Sequence, residues 1–270
     1  MKQRIDAWLV EKGHFQSREQ AQRSIMAGEV KVNGKRIEKP SQLVSEPADV
    51  SLEGAGTHYV SRGAHKLEKA ITFFQVPVTG RICLDAGAST GGFTDYLLQN
   101  GAQHVYAVDV GYGQLAWKLR QDPRVTVFER ENIRNFEITK IDLAPSLITA
   151  DLSFISLKLV LPKLKQLLAP EGELITLIKP QFEAGRDKVG KKGVVRDPAI
   201  HQEVLASLTS FGPSVGWFLT DITFSPLLGP EGNIEYLGYW KPTVAPIFNQ
   251  LDQVVKEAWQ ELKVKTPEVK

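Results

Sequence analysis

Five short apolar runs between residues 81 and 178 constrain the fold of this chain more than any other feature of its sequence. They occupy residues 81–84, 105–108, 125–128, 147–150 and 174–178. Continuous apolar runs of this length are typical of strands that are buried on both faces of a sheet. Segments with helical spacing, near residues 93–100, 114–120 and 156–168, separate most of them. The alternation predicts an α/β fold of the Rossmann-like type, with a mostly parallel sheet and helices on both faces.

A second, smaller unit is expected ahead of this sheet. Ile5, Trp8 and Leu9 share one helical face, and Ser17 opens a capping-box sequence before a second apolar stripe that closes at Ala27-Gly28. Residues 30–37 alternate about an Asn-Gly pair, which strongly indicates a hairpin.

The boundary between the two units is predicted at residues 53–57, which are small and flexible and read Glu-Gly-Ala-Gly-Thr. A further strand is expected at residues 49–52, just before it, and a length of 270 residues suits two domains. We therefore expect a small α+β domain over residues 1–57 and the α/β domain over residues 58–270. Later strands near 217–224 and 234–239 and a final helix near 247–262 complete the second domain.

Composition excludes several classes of protein. Hydrophobic residues make up 42% and charged residues 24%, which are globular values. Cys83 is the single cysteine, so an intramolecular disulfide and a thiolate-rich zinc site are excluded, and we expect no metal. The sequence shows neither an apolar stretch of about 18 residues nor the pattern of a signal peptide. We expect a soluble, cytoplasmic protein with no membrane contact.

A charged residue follows each of the five apolar runs. These residues are Asp85, Asp109, Glu129, Asp151 and Lys179. In a doubly wound sheet such positions open onto the crevice at the carboxyl ends of the strands, where ligands bind. The pattern predicts one ligand site built from residues that lie far apart in the sequence.

The turn after the first strand, residues 85–93, indicates the kind of ligand. Its sequence, Asp-Ala-Gly-Ala-Ser-Thr-Gly-Gly-Phe, lacks the glycine spacing of a dinucleotide site and the Gly-Lys-Ser/Thr of a P-loop. Asp109 lies 22 residues after Gly87, near the spacing at which an acid binds ribose hydroxyls. A nucleoside without phosphate fits, and we expect S-adenosylmethionine. The candidate cofactor residues are Asp85, Gly87, Ser89, Gly91, Gly92, Asp109 and Asn132.

The chemistry of methyl transfer narrows the acceptor. Methylation of cytosine carbon five needs a reactive cysteine, and Cys83 lies inside an apolar strand. Exocyclic amines are usually handled by Asn or Asp, two prolines and an aromatic residue, whereas Asp151 is followed by Leu-Ser-Phe. A ribose hydroxyl, whose proton must leave during the attack, remains.

Basic residues suggest how a nucleic acid would be held. The first forty residues contain nine Lys or Arg against five acids, and phosphate contacts supply most nucleic-acid affinity. The candidates for RNA binding are Arg4, Lys12, Arg18, Arg23, Lys31 and Lys35. Residues 180–198 form a second basic segment, predicted as a long loop that clamps RNA through Lys191 and Lys192.

Four stretches together resemble the hemolysin A (TlyA) family. They are Asp85–Asp95, Tyr106–Gly111, Asp151–Ser156 and Ile178–Glu183, within a likeness that runs from Arg4 to about Tyr239. The resemblance implies an RNA-binding domain like that of ribosomal protein S four, followed by an FtsJ-like Rossmann methyltransferase domain. It also implies methylation of ribose 2′-hydroxyls in ribosomal RNA, free or within ribosomal subunits.

The same resemblance implies a catalytic tetrad. The FtsJ-like pattern of Lys, Asp, Lys and Glu falls on Lys66, Asp151, Lys179 and Glu235. Lys179 would act as a base or as an orienting cation, positioned by Asp151 and Glu235, while Lys66 would add positive potential. Two other readings stay open, a non-catalytic RNA-binding or ribosome-assembly factor and a membrane-active hemolysin.

Overall fold

A computed structural model describes residues 2–15, 17–26, 30–37, 39–45, 49–52, 59–243, 246 and 248–264. The chain divides into two compact units, Met1–His58 and Tyr59–Lys270. The predicted linker at residues 53–57 and the predicted helix end at Ala27-Gly28 lie outside the described residues.

Within its described residues, the N-terminal unit contains two helices and five short strands. They are β1 (Lys2–Arg4), α1 (Ile5–Glu11), α2 (Arg18–Met26), β2 (Val30–Val32), β3 (Lys35–Arg36), β4 (Leu43–Ser45) and β5 (Val50–Leu52). The predicted hairpin is confirmed, because β2 pairs antiparallel with β3 and both Asn33 and Gly34 adopt the positive φ that a tight hairpin turn requires. The pairing of β1 with β4 was not predicted, since strands of three residues show too little alternation.

The apolar stripes of the two helices form the core of this unit. Ile5, Leu9 and Ile25 are fully buried, and Trp8 lies with them. The helical periodicity in the sequence is therefore the periodicity of burial.

The C-terminal unit alternates strands and helices. Its first half contains α3 (Ala64–Phe74), β6 (Ile82–Ala86), α4 (Gly92–Gln99), β7 (His104–Asp109), α5 (Trp117–Arg120), β8 (Val125–Glu129), β9 (Leu147–Ala150) and α6 (Leu161–Leu167). Its second half contains β10 (Glu173–Ile178), α7 (Pro180–Glu183), α8 (Pro198–Phe211), β11 (Phe218–Phe224), β12 (Tyr236–Lys241) and α9 (Leu251–Val264).

Seven of these strands form one sheet in the order β8-β7-β6-β9-β10-β12-β11. All neighbouring pairs from β8 to β10 are parallel, and β12 runs antiparallel to both β10 and β11. Apolar side chains cover both faces of the sheet in two clusters. The predicted mostly parallel α/β sheet is confirmed. Its order changes direction between β6 and β9, where ligands bind in such folds.

The structure corrects several predicted boundaries. Asp85 lies within β6 and not after it, because the parallel pairing with β7 continues to Ala86. Glu235 precedes β12 instead of lying on it. The final helix begins at Leu251, not near residue 247, which lies outside the described residues. Residues 180–198 are not one long loop, since they contain α7 and two short 3-10 turns.

Candidate active site

The glycine turn after β6 fits closely against the end of β9. Gly87 has a φ of 86°, and a Cβ atom there would overlap the carbonyl oxygen of Asp151. Gly91 has a φ of 95°, and a Cβ there would overlap the Leu119 side chain. Both positions require glycine for backbone conformation, and Gly87 also requires it for space, because the overlap there is with backbone. The turn is therefore held against Asp151, as the strand-end argument predicts.

Asp85 supports this turn from the interior of the protein. It is fully buried, and its carboxylate accepts hydrogen bonds from the Thr94 amide (2.9 Å) and hydroxyl (2.7 Å) and from the Thr149 hydroxyl (3.3 Å). Burial raises the pKa of Asp85 to about 7, against the opposing effect of these donors. We expected Asp85 to contact the cofactor. The structure instead places it inside the protein, where it ties β6 to α4.

Asp109 connects the turns that follow β6 and β7. One carboxylate oxygen accepts the Ser89 amide (2.8 Å) and the other accepts the Gly111 amide (2.6 Å). Asp109 remains partly exposed. A partly exposed acid beside a glycine turn is the arrangement that binds the ribose hydroxyls of a nucleoside.

The remaining cofactor candidates are placed differently from one another. Gly92 is buried, and a Cβ there would overlap the Ser61 hydroxyl, so this glycine permits close packing. Asn132 is exposed and caps a short 3-10 turn by accepting the Arg134 amide (3.1 Å).

Lys179 and Asp151 form an ion pair at the carboxyl ends of β10 and β9. Their Nζ and Oδ1 atoms are 2.6 Å apart, and the Lys179 side chain is 8% exposed. The Lys179 ammonium also donates to the Ser153 hydroxyl (2.9 Å). Sequence reasoning missed Ser153, although it lies two residues after Asp151 in one of the stretches that carry the family resemblance.

Glu235 and Lys66 form a second ion pair, with 2.7 Å between Oε2 and Nζ. Glu235 is fully buried, and its Oε1 atom has no hydrogen-bond partner among the described residues. We expected Glu235 to position Lys179, but its carboxylate instead pairs with Lys66 on α3. The reason lies in β12, whose amino end faces that helix.

Strand register brings the two pairs to the same edge of the sheet. Ile178 of β10 lies opposite Tyr236 of β12 in an antiparallel pair, so the next residues outward, Lys179 and Glu235, also face each other. All four predicted tetrad residues therefore have a charged partner within the tetrad.

Two aromatic rings border the Lys179–Asp151 pair. Phe154 is 90% exposed with a φ of 62°, and its ring centroid lies 5.1 Å from that of Phe182. The Phe182 ring lies 5.9 Å from the Lys179 Nζ. An open cavity of about 410 Å³ adjoins this rim, lined by Phe182, Gln181 and Arg186 among others. The sequence pattern does not predict the positive φ or the exposure of Phe154. An exposed aromatic ring is suited to stacking on a base.

The RNA-binding candidates lie on the surfaces of the two units. Arg4 and Arg18 are exposed and both contact Asp6, while Lys12 lies 6.0 Å from the Trp8 ring. The others are exposed or partly exposed, apart from Arg23, whose side chain lies outside the described part of the chain. These are Lys31 on β2, Lys35 on β3, and Lys191 and Lys192 in a 3-10 turn.

The described residues contain neither a membrane-spanning helix nor a cluster of metal-binding side chains. In the part of the chain that the structure describes, no helix is long and apolar enough to cross a membrane. Within those same ranges, no group of three or more His, Cys, Asp or Glu residues could hold a metal ion.

The fold and the site together define an S-adenosylmethionine-dependent methyltransferase of the Rossmann-like class. An FtsJ-like methyltransferase model matches residues 59–241, and an S4 domain model matches residues 3–50. The chain therefore belongs to the FtsJ-like methyltransferase family and carries an S4 domain ahead of the methyltransferase domain.

Individual relatives agree with this assignment. The chain is 47% identical over 277 residues to YqxC of Bacillus subtilis, provisionally named an rRNA methyltransferase, covering 99% of this chain and 98% of the relative. It is 47% identical over 234 residues to the 16S/23S rRNA (cytidine-2′-O)-methyltransferase TlyA of Mycobacterium tuberculosis, covering 86% and 87%. A solved structure from Streptococcus thermophilus, provisionally named a hemolysin, is 45% identical with a TM-score of 0.78, covering 97% and 98%.

Proposed function

We propose that this methyltransferase acts on a ribose 2′-hydroxyl of ribosomal RNA, in the cytoplasm. The observation that carries the proposal is the pair of buried Lys179 with partly exposed Asp151, set against the Gly87 turn at the edge where Glu235 and Lys66 also meet. An amine and a carboxylate beside a nucleoside site suit an acceptor that must be oriented and lose a proton.

The cofactor residues of this chain fit a nucleoside-bearing methyl donor. Asp109 would accept hydrogen bonds from ribose hydroxyls, while the Gly87 and Ser89 turn would let the backbone approach the ligand. Asn132 would border the same crevice from the turn after β8. Bound S-adenosylmethionine supplies a methyl group on a positively charged sulfur. Asp85 and Gly92 are buried and would shape this site without contacting the ligand.

Lys179 would orient the acceptor oxygen. Its ammonium pairs with Asp151 and donates to Ser153, and an ammonium carries three N–H groups, so Lys179 would have a further donor for the acceptor oxygen. A hydroxyl that accepts from Lys179 and donates to the Asp151 carboxylate keeps one lone pair directed at the methyl group. As the C–O bond forms and the bond between the methyl carbon and sulfur breaks, the hydroxyl proton becomes strongly acidic and leaves through Asp151 to solvent.

Lys66 and Glu235 would complete the acceptor site. The buried Glu235 carboxylate has one oxygen on Lys66 and a second, Oε1, without a partner among the described residues. A buried acceptor of this kind is stabilised when a substrate hydroxyl donates to it.

The RNA would be held by the basic residues of both units. The S4 domain would bind phosphates through the predicted set of Arg4, Lys12, Arg18, Arg23, Lys31 and Lys35. Lys191 and Lys192 would contact RNA near the reacting ribose, since their segment follows Lys179 in the chain. Because TlyA of Mycobacterium tuberculosis is named for cytidine, we propose cytidine as the target nucleoside.

Methyl transfer from labelled S-adenosylmethionine to intact ribosomal subunits and to purified 16S and 23S RNA tests the proposal. Mapping of ribose methylation should identify a 2′-O-methylcytidine. Lys179→Ala should lower transfer by about a thousandfold while S-adenosylmethionine binding is kept, because the acceptor oxygen is no longer oriented and Asp151, which takes its proton, loses the partner that positions it. Lys163→Ala on α6 is the matched control and should keep activity. Cofactor and RNA binding without transfer by the unaltered chain would support the non-catalytic factor instead, and leakage of liposomes would support the hemolysin.

A further inference from the structure

Asp6 in the N-terminal unit is a fully buried carboxylate that the proposed reaction does not use. It accepts hydrogen bonds from Arg4 Nε (3.0 Å) and Nη2 (2.8 Å), from Arg18 Nη2 (3.1 Å) and from Gln22 Nε2 (2.7 Å). Arg4 ends β1, Asp6 lies in the first turn of α1, and Arg18 and Gln22 lie one turn apart on α2. One side chain thus links three elements.

Each of the two arginines contacts the buried Asp6 carboxylate, while about half of its side chain is exposed to solvent. Their side chains remain 45% and 54% exposed although each contacts the buried carboxylate. Arg4 presents two parallel N–H groups to the two oxygens of Asp6, a geometry that fixes the plane of the guanidinium. Chiefly through the hydrogen bond from Arg4, the pKa of Asp6 is held far below its usual range, so the carboxylate stays charged at neutral pH.

We propose that Asp6 is a positioning residue for RNA binding, which holds the Arg4 and Arg18 guanidinium groups in fixed orientations toward the phosphates of ribosomal RNA. Arginine side chains lose rotational freedom when they bind a phosphate, and a side chain already fixed in the free protein loses less. The inference rests on the proposed function, because it assumes that this unit binds RNA.

Three accounts of Asp6 predict different results when its charge is removed. If Asp6 only offsets positive charge, Asp6→Asn should bind RNA more tightly, because phosphate affinity rises with protein charge. If Asp6 only maintains the fold, affinity should fall whether or not the arginines are present. If Asp6 acts through the arginines, affinity should fall only while they are present.

The experiment is a mutant cycle on the full chain, with 16S and 23S RNA transcripts as probes and binding measured at several salt concentrations. The variants are Asp6→Asn, the double variant Arg4→Gln with Arg18→Gln, and the combination of all three. We expect Asp6→Asn to weaken binding by about tenfold alone and by less than about twofold in the double variant. Its slope of log affinity against log salt should stay near that of the unaltered chain, whereas the double variant should lose roughly 1.5 from the slope.

Glu19→Gln is the matched control for charge, because Glu19 is an exposed acid in the first turn of α2. It should leave RNA affinity equal or slightly tighter. Gln22→Met, a second variant, removes one donor from Asp6 without altering any charge, and should weaken binding by about threefold only when both arginines are present.

Equal losses for Asp6→Asn in both backgrounds, or tighter binding, would overturn the inference, as would full RNA affinity in the double arginine variant. Thermal melting followed by circular dichroism identifies variants that are folded at the assay temperature. If Asp6→Asn is not folded, the cycle is run with Gln22→Met and the same outcomes decide. A chain that binds RNA with the expected coupling but transfers no methyl group would instead contradict the proposed function alone.

Discussion

Two fully buried carboxylates, one in each unit, have opposite electrostatic surroundings. Asp6 in the N-terminal unit contacts two arginines, and its pKa lies far below the usual range. Among the described residues, Asp85 in the methyltransferase unit accepts from hydroxyl and amide groups alone, and burial raises its pKa to about 7. Burial alone therefore does not set the ionisation of an acid, since charged partners outweigh it and neutral donors do not.

The largest expected effect is a pH dependence of stability that comes from Asp85. Its pKa is about 7 in the folded chain and near 4 when unfolded, so its contribution is complete below about pH 4 and is lost as the pH rises to about 7. A difference of about three pKa units corresponds to about 4 kcal/mol. Urea unfolding of the unaltered chain and of Asp85→Asn, measured from pH 4.5 to 8, should diverge by that amount. Parallel curves for the two proteins would contradict the assignment.

The next effect concerns the glycine turn beside Asp85. Gly87→Ala should lower the free energy of unfolding by about 3 kcal/mol, because alanine is strained at a φ of 86° and its Cβ would overlap the Asp151 carbonyl. Methyl transfer should fall with it, since Asp151 is displaced. Chemical denaturation and the transfer assay measure the two losses. Normal activity with full stability would show that the turn and the end of β9 can move independently.

A smaller effect, of opposite pH sign to that of Asp85, is expected at Asp6. Asp6→Asn should lower the free energy of unfolding by about 2 kcal/mol at pH 7, because two arginines lose a charged acceptor. Since the folded pKa is lowered, this stabilisation is present above about pH 4 and is lost as the pH falls further. Thermal melts of the variant and the unaltered chain should therefore converge in acid. A difference in melting temperature that grows in acid would show that Asp6 and Asp85 do not have opposite effects on the pH dependence of stability.

The smallest effect is expected at the hairpin turn of the N-terminal unit. Gly34 has a φ of 74°, but nothing lies within 4 Å of the position of an added Cβ. Gly34→Ala should thus cost about 1 kcal/mol, from backbone strain alone. The measurement is the same denaturation used for Gly87→Ala, and the two variants separate strain from overlap. Equal losses at both glycines would mean that the overlap at Gly87 is relieved at no cost.

Residues that follow parallel strands could be located from the sequence, because strand ends of one direction meet at one edge. Asp151 and Lys179, which follow β9 and β10, and Asp109, the last residue of β7, are placed by this rule, which needs only the order of the apolar runs along the chain. The S-adenosylmethionine class also follows from the glycine spacing of the first turn together with the position of Asp109. The roles of the individual site residues stay predictions until variants are assayed.

Other features depend on information that periodicity does not contain. The contact between Glu235 and Lys66 arises from the antiparallel insertion of β12. The alternation of strands and helices in the sequence does not predict this insertion. The burial of Asp85 depends on Thr94 and Thr149, which are 9 and 64 residues away. The backbone of Phe154 adopts a conformation that its side chain disfavours, so no propensity predicts its exposure.

The reversed direction of β12 also has a consequence for the order in which the protein becomes complete during synthesis. Because β12 is antiparallel to β10, its amino end, and not its carboxyl end, lies at the edge of the sheet where ligands bind. A nascent chain that has emerged only as far as α8 would already have the nucleoside crevice. It would still lack Glu235, the partner of Lys66. The capacity to bind a methyl donor would thus precede the capacity to use it, and translation from the end of α8 to Glu235 would separate the two.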